Sequence, residues 1–112
     1  MTKILYAPEA ADDLIGIRDY IRDELKNPTA AENVLTRITQ SIRNLETSPE
    51  IGTPLSKNIR IDTDYRYLVS GNYITFYRYA NSVCYIDRVL YGKRDYLAIL
   101  FSEQIDLEDE TP

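Results

Sequence analysis

The chain has 112 residues, 44% hydrophobic and 28% charged, with a net charge of −5, which is the size and mixture of one globular domain able to bury a core without staples. It holds no histidine and one cysteine, which excludes a Ser-His-Asp triad, a Cys-His pair, histidine-bound zinc, a zinc ribbon and an internal disulfide. No segment approaches the ~20 apolar residues of a membrane span and the start has no signal-peptide pattern, so a cytoplasmic protein without membrane contact is expected.

Lys3 to Tyr6 reads as a short strand that breaks at Ala7-Pro8. From there Ala10, Leu14, Ile17, Ile21 and Leu25 recur at helical spacing and predict a helix from Pro8 to Lys26. Pro8 suits a first helical turn, and Glu9, Asp12 and Asp13 complement the positive end of the helix dipole. Asn27-Pro28 ends it. Thr29-Ala-Ala-Glu32 has capping-box spacing and opens a second helix to about Glu46, with Ala31, Val34, Leu35, Ile38, Ile42 and Leu45 as its apolar stripe. The short connection predicts an antiparallel helical hairpin with facing stripes.

Ser48 to Pro54 contains two prolines and a glycine and reads as a loop into a new layer. After it the period becomes two, predicting strands over Tyr65–Val69, Tyr73–Tyr79 and Val83 to about Leu90, joined by turns at Ser70-Gly-Asn72 and Ala80-Asn-Ser82. Alternation sorts the side chains onto two faces. Leu68, Ile74, Phe76, Cys84, Ile86 and Leu90 fall on one, in phase with Arg66, Arg78 and Arg88. The tyrosines 65, 67, 73, 77, 79, 85 and 91 fall on the other with Val69 and Val89. The helices are expected to cover the aliphatic face; the opposite assignment stays open because buried tyrosines also build cores and one bulge would move part of a strand to the other face.

Tyr96 to Phe101 is a short apolar piece with helical potential, and the last ten residues, 103–112, form an acidic tail expected to be disordered. The fold class is therefore α+β over residues 1–102: an N-terminal strand, an antiparallel helical hairpin packed on a mainly antiparallel four-stranded sheet, and a short C-terminal helical piece.

Charge is unevenly spread. The tail takes five of the 18 acids, and from Lys57 to Arg94 seven bases face three acids. The same stretch, from Tyr65 to Tyr96, holds eight of the ten tyrosines. Aromatic faces beside cations are the materials of nucleic-acid contact. They also suit metal-free phosphoryl chemistry, in which fixed guanidinium groups stabilise the charge built when a ribose 2′-OH attacks its own phosphate. The plainer alternative pairs Arg66, Arg78 and Arg88 with Asp62, Asp64 and Asp87 on a solvated surface. The acidic pairs Asp12/Asp13 and Asp62/Asp64 read as helix-start and loop solvation, and Cys84, in an apolar run, reads as a buried side chain.

Arg66-Tyr-Leu-Val-Ser-Gly-Asn-Tyr-Ile-Thr-Phe-Tyr77, the strand Val83-Cys-Tyr-Ile-Asp-Arg-Val-Leu90 and the closing Tyr91-Gly-Lys-Arg-Asp95 together resemble the signature of the RelE/ParE toxin family. The Pro49–Pro54 loop and the helical hairpin fit the same layout, so the resemblance covers residues 3 to 101. It implies a toxin of a bacterial type II toxin–antitoxin module, with a cognate antitoxin as partner and no cofactor or metal. RelE-like members cut mRNA on the ribosome through a basic cluster, and ParE-like members poison DNA gyrase.

Carried over by position, Arg94, Lys93 and Arg66 are the catalytic candidates; the rest of the Arg/Tyr set offers Arg88, Arg78, Tyr91, Tyr77 and Tyr96 as substrate- or target-binding candidates. Two departures matter. Ile74 stands where RelE-like nucleases commonly have a phosphate-binding arginine, and Tyr91 stands where many ParE-like sequences have a histidine. Three functions follow: ribosome-dependent mRNA cleavage, which the intact Lys93-Arg94 pair favours; gyrase inhibition; and an inactive relative retained as a binding partner.

Overall fold

The computed structural model describes residues 1–57 and 59–101. The acidic tail lies outside them. Five strands form one sheet in the order β1-β5-β4-β3-β2: β1 (Lys3–Tyr6), β2 (Thr53–Pro54), β3 (Arg66–Ser70), β4 (Tyr73–Ala80) and β5 (Val83–Tyr91). β1 runs parallel to β5 and every other pairing is antiparallel. The helices are α1 (Pro8–Asp19), α2 (Pro28–Arg43) and α3 (Tyr96–Leu100).

The sheet has one strand more than the four expected. Thr53 and Pro54, inside the proline-rich loop, pair with Tyr67 and Arg66; a proline is tolerated there because β2 is an edge strand.

The first helix is shorter than its apolar period suggests. After Asp19 the chain widens into a π-helical turn, Tyr20–Glu24, in which the Leu25 N–H reaches back to Tyr20 O at 3.1 Å. A five-residue closure advances the helical phase. Leu25, in register with the stripe on paper, ends 57% exposed, while Ile21 stays in the core. The second helix is capped by Asn27, whose Oδ1 accepts from the Ala30 N–H at 3.0 Å. Thr29 and Glu32 do not form the expected box, since Pro28 already occupies the first helical position and places the cap before it.

One bulge decides the faces. Tyr77 pairs with Ile86 but Phe76 pairs with Arg88, so Asp87 is an extra residue on β5 and the side chains beyond it change sides. Beneath the helices lie Tyr77, Cys84, Ile86 and Val89 with Ala10, Ile38, Ile42 and Leu45, flanked by Leu68, Tyr73 and Tyr79. Burying each large aliphatic side chain contributes roughly 1.5–3 kcal/mol. The opposite face buries Phe76 and Leu90 against Leu55, with Ile74, Tyr65, Tyr67 and the α3 residues Tyr96, Ile99 and Leu100 around them. The expected aliphatic face is thus divided: Leu68, Cys84 and Ile86 lie under the helices, whereas Ile74, Phe76 and Leu90 lie under the C-terminal piece. The β4 tyrosines 73, 77 and 79 turn inward.

Candidate functional site

A groove of about 650 Å³ opens between α1 and the end of the sheet where β5 leaves it. Ile17, Tyr20 and Leu25 form one wall, and Tyr73, Val89 and Tyr91 the other. The π-helical turn makes the first wall apolar, because it brings Tyr20 and Leu25 to the surface at 54% and 57% exposure. On the second wall the rings of Tyr73 and Tyr91 meet edge to face, 5.8 Å apart, a favourable aromatic geometry.

Asp13 braces the groove from below. It accepts two hydrogen bonds from Arg88, at 2.7 and 2.8 Å, and a third from the Val89 N–H at 2.9 Å, tying α1 to β5. Such a bidentate, charge-assisted arrangement is the strong form of an ion pair, and it keeps the Arg88 guanidinium charged, raised above its ordinary pKa chiefly by that hydrogen bond. Asp12 and Arg94 stand exposed on opposite walls.

The turn carrying the basic pair is held by hydrogen bonds at both ends. Gly92 N–H donates to Asn72 O at 2.8 Å and Arg94 N–H to Tyr91 O at 2.9 Å, while Asp95 Oδ1 accepts from Ala98 N–H at 3.2 Å and caps α3. A Cβ at Gly92 would come within 3.3 Å of the Asn72 carbonyl, so the tight approach of β5 to the β3–β4 turn suits glycine.

The eight residues singled out in the sequence do not converge. Lys93, Arg94 and Tyr91 lie together at the groove end, all exposed, and among the described residues the two cations make no side-chain hydrogen bond or ion pair. Arg66 is spent on the loop, its Nη1 donating to Glu50 O at 3.0 Å and Gly52 O at 2.8 Å. Tyr77 is fully buried; its hydroxyl donates to Pro49 O at 2.8 Å and accepts from Gly52 N–H at 2.9 Å. Arg78 pairs with the bulge residue Asp87 at 2.8 Å, its guanidinium 5.5 Å from the Tyr65 ring centre, on the face away from the helices. Tyr96 packs on Phe76 with ring centres 5.2 Å apart. The expected surface pairing of arginines with Asp62, Asp64 and Asp87 is thus realised only at Arg78, and Arg88 has Asp13 instead.

Three of the sheet's tyrosine hydroxyls are moved away from neutral pH. Burial pushes Tyr65 up to about 12, helped by its hydrogen bond to Asp87, and burial also raises Tyr73 and Tyr77. A general base works best with a pKa near the working pH, and these three are displaced the wrong way. Burial raises the Cys84 thiol too, as suits a core side chain.

Sequence reasoning missed Tyr20, Asp12 and Leu25 as surface features of a site. Their spacing along the first helical stretch was the available signal, but Tyr20 and Leu25 lie beyond α1, and the phase shift that exposes Leu25 follows from the π-helical turn, which no periodicity announces.

Comparison with known proteins gives a consistent frame. In a search of solved structures, a chain described as the chromosomal ParDE TA system from P. aeruginosa superposes with a TM-score of 0.68 at 20% identity, covering 83% of this chain and 98% of that one. That likeness is one of fold. No curated protein matches. Residues 4–96 match the family described as the ParE toxin of the type II toxin–antitoxin system, parDE; spanning α1, α2, all but the first residue of the sheet and the start of α3, that match makes the chain a member of the ParE toxin family.

Proposed function

We propose that the chain is the toxin of a type II toxin–antitoxin module and that it arrests growth by binding DNA gyrase rather than by cutting mRNA. The observation that carries this reading is the scattering of its cations. Metal-free phosphoryl transfer needs several fixed donors aimed at one developing charge. Here Arg66 serves two loop carbonyls, Arg78 and Arg88 are held by carboxylates, and Ile74 offers no charge. Lys93 and Arg94 remain, and burial raises Tyr73 beside them, the wrong direction for a general base. Two exposed cations beside an apolar groove form a protein-binding surface more readily than a nuclease centre. An amphipathic helix of the antitoxin fits the groove, its apolar side chains between Tyr20 and Tyr91 and its charges meeting Asp12 and Arg94.

The test uses purified protein in two reactions: supercoiling by gyrase, and cleavage of mRNA on translating ribosomes. Inhibited supercoiling with intact mRNA is expected, with Arg94→Ala relieving the inhibition and retaining the wild-type unfolding midpoint. Unaffected supercoiling with cleaved mRNA would reverse the reading in favour of the ribosome-dependent nuclease. In that case Arg94→Ala should lower cleavage by about 10²–10³, the usual effect of removing one preorganised donor.

A further inference from the structure

Cations are a common material of nucleic-acid contact, and folding adds one to the basic pair that its sequence neighbourhood does not contain. Arg37 lies on the exposed side of α2, far from Lys93 and Arg94 in the chain. The β3–β4 turn brings them together. Gly71 in that turn has a φ of +60°, and a Cβ there would stand 3.2 Å from Arg37 Nη1. Glycine thus serves the left-handed backbone and leaves room for the guanidinium to lie against the turn. The next residue, Asn72, accepts through its carbonyl from the Gly92 N–H at 2.8 Å, immediately before the basic pair. Arg37 therefore borders the turn at Gly71, and Lys93 and Arg94 border it at Asn72.

These three cations are free, while most carboxylates near them are engaged. All three side chains are exposed, and among the described residues none makes an ion pair or a side-chain hydrogen bond. Arg18 and Arg22, by contrast, are held by Asp19 and Asp23. Asp95, beside Arg94, is turned onto the start of α3, and Asp13 is taken by Arg88. Asp12 stands on the opposite wall of the groove. On a chain of net charge −5, three unpaired cations around one turn make a positive pole, which orients the molecule toward a polyanion.

Phosphate is the anion that this arrangement suits. Guanidinium forks match phosphate oxygens, and cations spread along a surface rather than aimed at one point suit a row of phosphodiesters. We propose that Arg37, Lys93 and Arg94 contact the backbone of the DNA duplex held by gyrase, so that the toxin grips enzyme and DNA together. Phosphate contacts of this kind position a protein without reading sequence. The inference rests on the gyrase reading above and adds a second partner to it, through a residue outside the groove.

The test compares toxin binding to gyrase alone with binding to gyrase carrying a duplex of random sequence, at several salt concentrations. Tighter binding is expected with DNA, and each neutralised phosphate should steepen the fall of log affinity with log salt by about 0.9. The slope with DNA should therefore exceed the slope without it by about 2–3. Arg37→Ala should reduce that difference by about 1 and weaken binding to gyrase–DNA, with no change on gyrase alone; Arg37→Lys should keep the slope. Arg37 occupies an exposed helix position without a partner, so both variants should retain the wild-type unfolding midpoint. Equal affinities with and without DNA overturn the DNA contact and spare the gyrase reading. Absence of binding to gyrase in either form overturns both. Tighter binding with DNA that neither salt nor Arg37→Ala alters would mean that DNA changes the shape of gyrase, and it overturns the contact. A slope on DNA-free gyrase that Arg37→Ala lowers would assign Arg37 to carboxylates of gyrase and overturn the proposed partner.

Discussion

Tyr77 and Gly52 act as one device. The ring of Tyr77 fills the space a side chain at position 52 would need, with a Cβ there only 2.6 Å from the ring atoms, and its hydroxyl joins two backbone groups of the loop. Those partners lie 25 and 28 residues away in the chain. A tyrosine among tyrosines gives no sign of such distant partners in its sequence neighbourhood, so Tyr77 looks the same on paper as the exposed Tyr91. Tyr77→Phe should leave the Gly52 N–H and Pro49 C=O without a buried partner and cost about 1–3 kcal/mol. The expected record is a lower urea midpoint with unchanged slope. Arg66→Ala should act on the same loop, so the two changes should combine non-additively in a double-mutant cycle.

Tyr65 gives a second measurement at this scale. Its folded pKa of about 12 stands above the ordinary value of 10.0. The folded state therefore holds this proton after the unfolded state has released it, and the associated stability is fully present below pH ~10 and lost as pH rises toward ~12. A tyrosinate absorbance titration compared with that of Tyr65→Phe should assign a late-titrating ring to Tyr65. Asp87→Asn should bring it only part of the way back, because burial is the larger cause; a full return to 10.0 would assign the shift to Asp87 instead.

Among the elements, the two helices, the three long strands and the C-terminal helical piece are legible because hydrophobic period is a local property. Three departures escape that logic. The π-helical turn, the bulge at Asp87 and the pairing of Thr53-Pro54 each insert or re-phase a residue without altering composition. The bulge has the widest effect, since it sends Leu90 to one core and Ile86 to the other. The cap of α2 shows how two adjacent local signals compete. Asn27→Ala should cost about 0.5–2 kcal/mol, while Thr29→Ala, at an exposed position outside the cap, should stay within about 0.5 kcal/mol. Comparable losses in thermal unfolding for the two variants would put the boundary back at Thr29.

For the molecule as a whole, composition and element order suffice to give an α+β layer arrangement, but not its closure. The basic turn at Lys93-Arg94 is legible as a cluster because its members are adjacent in sequence. Its apolar neighbour groove is not, being made from α1 and β5, which meet only after folding. The sheet order has the same character, because β1 joins the sheet beside β5 rather than beside its neighbours in the chain.

That placement bears on how the protein comes into being. Residues 3–6 find their partners only at 83–86, and Asp13 waits for Arg88. Contacts of such separation make folding late and slow relative to local structure. During synthesis the helical hairpin emerges long before the strand that anchors it. Nascent chains stalled before residue 83 should therefore be cut readily by protease, and those that have cleared residue 91 should resist. A half-made molecule has neither groove nor basic turn in place, so on the proposed function no chain acts before residue 94 has been made and the sheet has closed.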